Sequence, residues 1–346
     1  MILENNPPTD KPTKKELTYI QKVWQTVIIV ALLVVFILIA RVAFNVLLMV
    51  LAGSLVSLYF HGVGDAIERR THLGRRLSML LSIGGTFIFI GLLMWFMGTK
   101  IENQISILND TLPNTITDIK LKLSETPNGL KVLKYLSGEN SEKLFHTAQR
   151  FFSTSFGVLG NLYIIVLLGI FFTANPGLYK EGILKLIPGK NKLFVRNIME
   201  RISHDLKGWL KGTVLAMILI TILITIGLSI MGIPVALVLG LLAGILKLIP
   251  NFGSLVAMIP GVLLALMIGT NTVIITALIY IISQTIVSSI ITPIIQERII
   301  KLPPALTIVS QVIMGTLSGA LGIILAVPLL VIVIILVDEL YVKKLR

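Results

Sequence analysis

The chain has 346 residues, 55% of them hydrophobic and 14% charged, and a mean hydropathy of +0.92. A water-soluble domain cannot bury that much apolar side chain, so the solvent must be lipid. The net charge of +13 would suggest nucleic acid in a soluble protein. Here the basic residues cluster between apolar runs, so they report membrane orientation and argue against a nucleic-acid partner. The absence of cysteine excludes disulfides, thiol catalysis and thiolate metal sites. The four histidines, His61, His72, His146 and His204, lie in polar segments without metal-ligand spacing, so no metal site and no cofactor are expected.

Taken in order, residues 1–22 read as a polar, mildly basic cytoplasmic tail. Residues 23–98 hold the first three transmembrane helices. The run 23–60 would measure about 57 Å as one helix, nearly twice a hydrocarbon core of about 30 Å. It is therefore expected to split at Arg41 into a two-helix hairpin. Loop 61–76 contains "ERRTHLGRR", and its four arginines mark the cytoplasmic side. Lys11, Lys14, Lys15 and Lys22 give the N-terminal tail the same sign, as a hairpin requires. The third span, 77–98, leads outside.

Residues 99–150 read as an extracytoplasmic amphipathic helical insertion. Positions 100–150 carry seven basic and six acidic residues, with Leu and Ile at helical spacing. Residues 151–173 form the fourth span. Residues 174–211 read as a cytoplasmic basic amphipathic helix, with eight basic and three acidic residues over 175–211. Its simplest placement is flat on the inner surface, with Trp209 near the interface.

Residues 212–346 are the most lipid-like part, with three basic and three acidic residues before the last six positions. Full spans at 213–231 and 270–291 each precede an interrupted apolar segment, 234–268 and 304–337. The first is broken by "IPNFG" and the second by "GTLSGALG". Arms of about 15 residues reach only about 22 Å, short of a full crossing. Such paired, interrupted segments point to a transporter site, because irregular backbone at membrane depth needs protein or a water-filled cavity around it. Both segments are read as hairpins with tips near the midplane, and full spanning by tilted arms fits the same charge pattern. The fold class is therefore all-α: a polytopic inner-membrane helical protein. It has about five to six full spans plus two Gly/Pro-interrupted hairpins, with eight or more apolar segments. Both termini are expected in the cytoplasm.

The candidate substrate or ion path consists of Lys247, Pro250, Asn251, Gly253, Gln284, Ser288, Thr292, Pro293, Glu297, Arg298, Gly315, Gly319, Gly322 and Pro328. Gln284, Ser288 and Thr292 are spaced by four and share one helical face. Lys247 either caps a helix end, snorkels to an interface or lines the path. Pro250 and Gly253 serve the turn. Gly315, Gly319 and Gly322 form either a tip or a close helix contact. No Ser/His dyad, zincin motif or intramembrane aspartate pair appears, so an enzyme is not expected.

Three motifs in order resemble the AI-2E family of bacterial membrane transporters, also called PerM-like permeases. They are "LGLLAGILKLIPNFGSLVAMIPGVLLAL" (239–266), "ITPIIQERIIKLPPAL" (291–306) and "GTLSGALGIILAVPLL" (315–330). The second carries Pro293, Glu297 and Arg298, and the third carries Pro328. Glu297 stands where the family often has Gly. The resemblance implies a homo-oligomer in the bacterial cytoplasmic membrane that exports an autoinducer-2-like signal. An alternative within the family is Na⁺(Li⁺)/H⁺ antiport, with Na⁺ or H⁺ as coupling ion. The absence of an acid deep in any span favours a small polar solute over a cation; Glu297 and Asp338 are the nearest acids. A different class, a membrane scaffold or assembly factor, would place its partner site in the 99–150 insertion.

Overall fold

The computed structural model describes residues 19–124, 161–249, 253–266, 268–291 and 303–345. Pro250, Asn251, Thr292, Pro293, Glu297 and Arg298, most of the tail and the distal half of the insertion lie outside the described residues. So do the first residues of the fourth span. Among the described residues the regular elements are helical, as the class requires. They are α1 (Tyr19–Thr71), α2 (Arg75–Ser124), α3 (Asn161–Ala174), α4 (Pro176–Lys185), α5 (Lys192–Ile230), α6 (Ala236–Leu246), α7 (Gly253–Leu266), α8 (Thr270–Ile286) and α9 (Pro304–Val337). π-Helical turns follow α8 (Val287–Ile291) and α9 (Asp338–Val342). Among the described residues five helices are long and apolar enough to cross a membrane, or six if α3 and α4, bent by 88°, count as one span.

The chain divides into two units, residues 1–47 and 48–346. In the first, the described chain is helical throughout, and residues 27–40 leave large apolar side chains exposed. The hairpin expected at Arg41 is absent, because helix runs straight through it. No Gly or Pro occurs between Tyr19 and Ala52, so one arginine interrupts the hydropathy without breaking the backbone. The helical boundary expected near residue 98 is absent as well, because the helix runs on through Gly98. α2 continues through the span into the proximal insertion.

α5 likewise joins the basic segment to the next span without a break. It does not lie flat beside the following helix. Trp209, expected at the interface, is 5% exposed. Its face, with Ile198 and Leu206, is covered by protein instead of lipid headgroups. α4 is a separate short helix, started by Pro176 and capped by Asn175, whose Oδ1 accepts from the Leu178 amide at 3.3 Å.

The core of the second unit is α5 packed on the expected first hairpin, α6–α7, with α8 behind it. Ile220, Ile224 and Leu228 recur every fourth residue on α5 and are fully buried. α6 approaches α5 through Gly240 and Gly244. A Cβ on Gly240 would collide with Thr225 Oγ1, and one on Gly244 with Thr221 Oγ1. Either would also sit 2.8 Å from a carbonyl oxygen of α5. Small residues four apart thus let two backbones touch, the usual device where lipid supplies no hydrophobic drive between helices. The chain enters α6 through left-handed backbone at Gly232 (φ 68°) and Val235 (φ 52°). A β-branched residue there is strained.

The second interrupted segment is bent at Gly319, whose φ of 61° and ψ of −140° only glycine adopts readily. The bend reverses the chain. A Cβ on Gly322 would overlap the carbonyl oxygen of Met314, and one on Gly315 would lie 3.0 Å from Ile323 Cγ1. Residues eight apart in a straight helix stand about 12 Å apart. α9 is therefore two helical arms folded together, with Gly315 and Gly322 at their contact. Gly253 plays the same part in the first hairpin, where a Cβ would strike the carbonyl of Leu246.

Two measurements check this architecture. In this cysteine-free chain, Gly315→Cys with Ile323→Cys will cross-link intramolecularly on mild oxidation, seen as reductant-reversible loss of maleimide labelling. A straight α9 would leave both thiols reactive. Gly244→Val will lower stability in detergent by about 1–3 kcal/mol through overpacking. Gly84→Ala, where a Cβ meets nothing within 4 Å, will leave the unfolding midpoint equal or higher.

Candidate functional site

The break between α6 and α7 carries the most polar cluster of the described apolar core. Lys247 is the residue that ends α6, and it is only 7% exposed. Its ammonium does not turn back to cap α6. Nζ donates to Gln284 Oε1 at 2.9 Å and to Ser288 Oγ at 2.9 Å, both contributed by the segment opposite. Ser254, at the start of α7, donates a short hydrogen bond to the same Gln284 oxygen. One carboxamide oxygen thus accepts from both arms of the hairpin.

Local structure explains why these groups meet. Gln284 and Ser288 are four apart, so they project from one face. Ser288 lies in the π-helical turn Val287–Ile291, a departure from α geometry often found at functional sites. Gly253 permits α7 to begin against the end of α6, which brings Ser254 beside Lys247. Each hydrogen bond from a charged donor contributes about 1.5–3 kcal/mol, and an unmet buried charge costs more.

The tip lies toward one end of the helices that cover it. Counted from Thr270, Gln284 and Ser288 lie about 21 and 27 Å along the helix. On the other side, Gly244 is level with Met217 and Thr221 of α5. Lys247, three residues further, therefore lies near the beginning of the α5 span.

Of the sequence-derived candidates, Lys247, Gln284 and Ser288 are joined directly, and Gly253 shapes their meeting. Gly315, Gly319 and Gly322 form the second hairpin and are not in the cluster. Pro328 is buried in the second arm of α9. Ser254 escaped the sequence reading, although a polar residue directly after the turn glycine was a usable signal. Tyr280 and Thr276 also escaped it. They extend the four-residue spacing of Gln284 and Ser288 back along α8. Both are almost fully buried, and their hydroxyls have no hydrogen-bond partner. The Tyr280 ring lies against Gly261 of α7, where a Cβ would be 2.8 Å from the phenolic oxygen.

A second cluster lies further toward the start of α5. Arg201 of α5 pairs with Asp338 at 2.7 Å and, by a shorter bond, with Glu339. Lys343 joins Glu339 at 2.6 Å. Asp338, named from sequence as a nearby acid, is thus held in an ion-pair network. Asp205, one turn from Arg201, is a buried acid at 7% exposure that the sequence reading passed over.

A helical membrane protein whose short, broken apolar hairpins enclose a buried polar cluster belongs structurally with the transporters. The comparison with known families makes this specific: the model described as AI-2E family transporter matches residues 27–342, and the chain belongs to that family. YueF of Bacillus subtilis is 24% identical over 82% of this chain and 81% of its own length. A protein of Alkalihalophilus pseudofirmus is 23% identical over 89% of this chain and 85% of its own. YrrI of Bacillus subtilis reaches 34% identity over a shorter stretch, 28% of each chain. All three are named as candidate transport proteins.

Gln284→Leu removes the oxygen shared by Lys247 and Ser254. It will lower stability by about 1.5–3 kcal/mol, read from thermal unfolding of the purified protein in detergent. Equal stability would mean the cluster repacks without it.

Proposed function

We propose that the chain is a secondary transporter of a bacterial cytoplasmic membrane and moves a small polar solute past the tip of the first hairpin. The observation that carries this reading is the buried Lys247–Gln284–Ser288–Ser254 cluster at a break between two helices too short to span a bilayer. An ionisable group held at membrane depth marks a substrate or ion path by default. An autoinducer-2-like signal, which the family resemblance suggests, is one such solute.

The orientation reading draws support from the ion pairs of Arg201. They bring the basic start of α5 and the chain's C-terminal end to the same place. With α9 folded back on itself, that end returns to the side from which it left, the cytoplasmic side by charge. The continuous α1 removes the hairpin that matched the N-terminal tail to loop 61–76, so the tail's cytoplasmic placement rests on its own lysines.

Na⁺(Li⁺)/H⁺ exchange is a second reading, favoured by Asp205. A buried carboxylate can exchange a proton for a cation. Proteoliposomes with a pH gradient and an internal pH dye separate the two. Under the solute reading, Na⁺, Li⁺ and K⁺ leave the gradient intact, and Lys247→Ala abolishes solute flux. Collapse by Na⁺ or Li⁺, lost in Asp205→Asn and kept in Lys247→Ala, would establish exchange instead.

A further inference from the structure

The α8 face behind the first hairpin carries Thr276, Tyr280, Gln284 and Ser288 in steps of four, a strip about 18 Å long. Lys247 and Ser254 meet it at its Gln284–Ser288 end. The chemistry of this strip is one-sided. Lys247 brings a cation, and among the described residues no carboxylate lies within 4.0 Å of it. Its partners are a neutral carboxamide and a neutral hydroxyl. One helical turn further, the Tyr280 hydroxyl is buried without an acceptor, and another turn on so is that of Thr276.

We infer that this strip is a binding track for a small oxyanion, a solute bearing a carboxylate or phosphate group. The inference rests on the transport reading and gives it a substrate class. Three alternatives are set against it by the same groups. A sodium ion needs several oxygen acceptors free of a cation, yet the Gln284 and Ser288 oxygens already accept from an ammonium. A neutral polyol needs acceptors and donors in equal measure, and gains nothing from a buried charge. An oxyanion supplies what the strip lacks: a countercharge for Lys247, which it takes over from Gln284 and Ser288, and acceptor oxygens for Tyr280 and Thr276. Ser254 and the Gln284 amide add donors at the same point. The spacing of one turn lets the anion pass from hydroxyl to hydroxyl and then to the ammonium.

The test uses the purified full-length protein in two formats. Binding is measured in detergent by titration calorimetry. Flux is measured in proteoliposomes by solid-supported membrane currents. The probes are acetate, lactate, succinate and inorganic phosphate, with glycerol, erythritol, NaCl and LiCl as comparisons. At least one oxyanion is expected to bind and move, and the polyols are not. Lys247→Gln will weaken oxyanion binding at least tenfold, and Lys247→Arg will recover part of it. Tyr280→Phe, which removes one oxygen and keeps the ring on Gly261, will weaken binding severalfold while the unfolding midpoint stays equal or rises. A merely structural tyrosine would leave binding unchanged. Binding of polyols or cations alone, equal in wild type and Lys247→Gln, would overturn the oxyanion assignment and leave transport standing. Oxyanion binding without flux would uphold the track and remove the transport reading. No binding by any oxyanion probe would overturn the inference.

Discussion

A bend in a chain surrounded by lipid leaves amide and carbonyl groups with no water to meet them. Everything distinctive in this fold follows from hiding two such bends. The first is covered by α5 in front and α8 behind, and the covering needs close approach. Gly240 and Gly244 provide it on one side and Gly261 on the other. Once the bend is enclosed, its own side chains must find partners inside. Lys247 and Ser254 find one oxygen, that of Gln284. The glycines and the polar cluster are therefore one design, with the first making room for the second.

The same plan occurs twice. α5 leads into a hairpin, and a π-helical turn after α8 leads toward the next. In both hairpins the second arm begins with a glycine seated on a carbonyl of the first, Gly253 on Leu246 and Gly322 on Met314. The chemistry of the two differs. The first tip holds an ammonium and hydroxyls. The second has a bare Gly319 with the buried Ser318 hydroxyl beside it, and its base is fixed by Arg201 through Asp338 and Glu339. A repeated backbone with unequal side chains suits a device in which one half binds and the other frames.

The hairpins were legible because Gly and Pro cluster in the middle of apolar runs whose arms are each too short to cross a bilayer. Gln284 and Ser288 were legible because a period of four survives any helix. Their partnership with Lys247 was not, since 37 positions separate Lys247 from Gln284 and only packing brings them together. The Arg41 break failed for a clear reason. Hydropathy reports where a helix meets lipid, whereas a helix ends only where backbone chemistry ends it, and the stretch from Tyr19 to Ala52 has neither Gly nor Pro. Trp209 shows the converse. Its pattern was amphipathic, as expected, but pattern alone does not say whether lipid or protein covers the apolar side. Tyr280 and Thr276 were hidden by their neighbours, because a single hydroxyl in an apolar span looks like ordinary helix packing.

The contact between the arms of the first hairpin has a mechanical consequence. Gly253 locks α7 to the end of α6, so the pair is stiff along its length. At its other end the pair hangs from the left-handed turn of Gly232 and Val235. Were that turn to yield, a stiff arm of about 17 Å would act as a lever. Turning it by ten degrees would carry the tip about 3 Å, further than a hydrogen bond can stretch. Lys247 and Ser254 would let go of Gln284 together or not at all, and small changes at the base of the lever would be read at its tip as an all-or-none release.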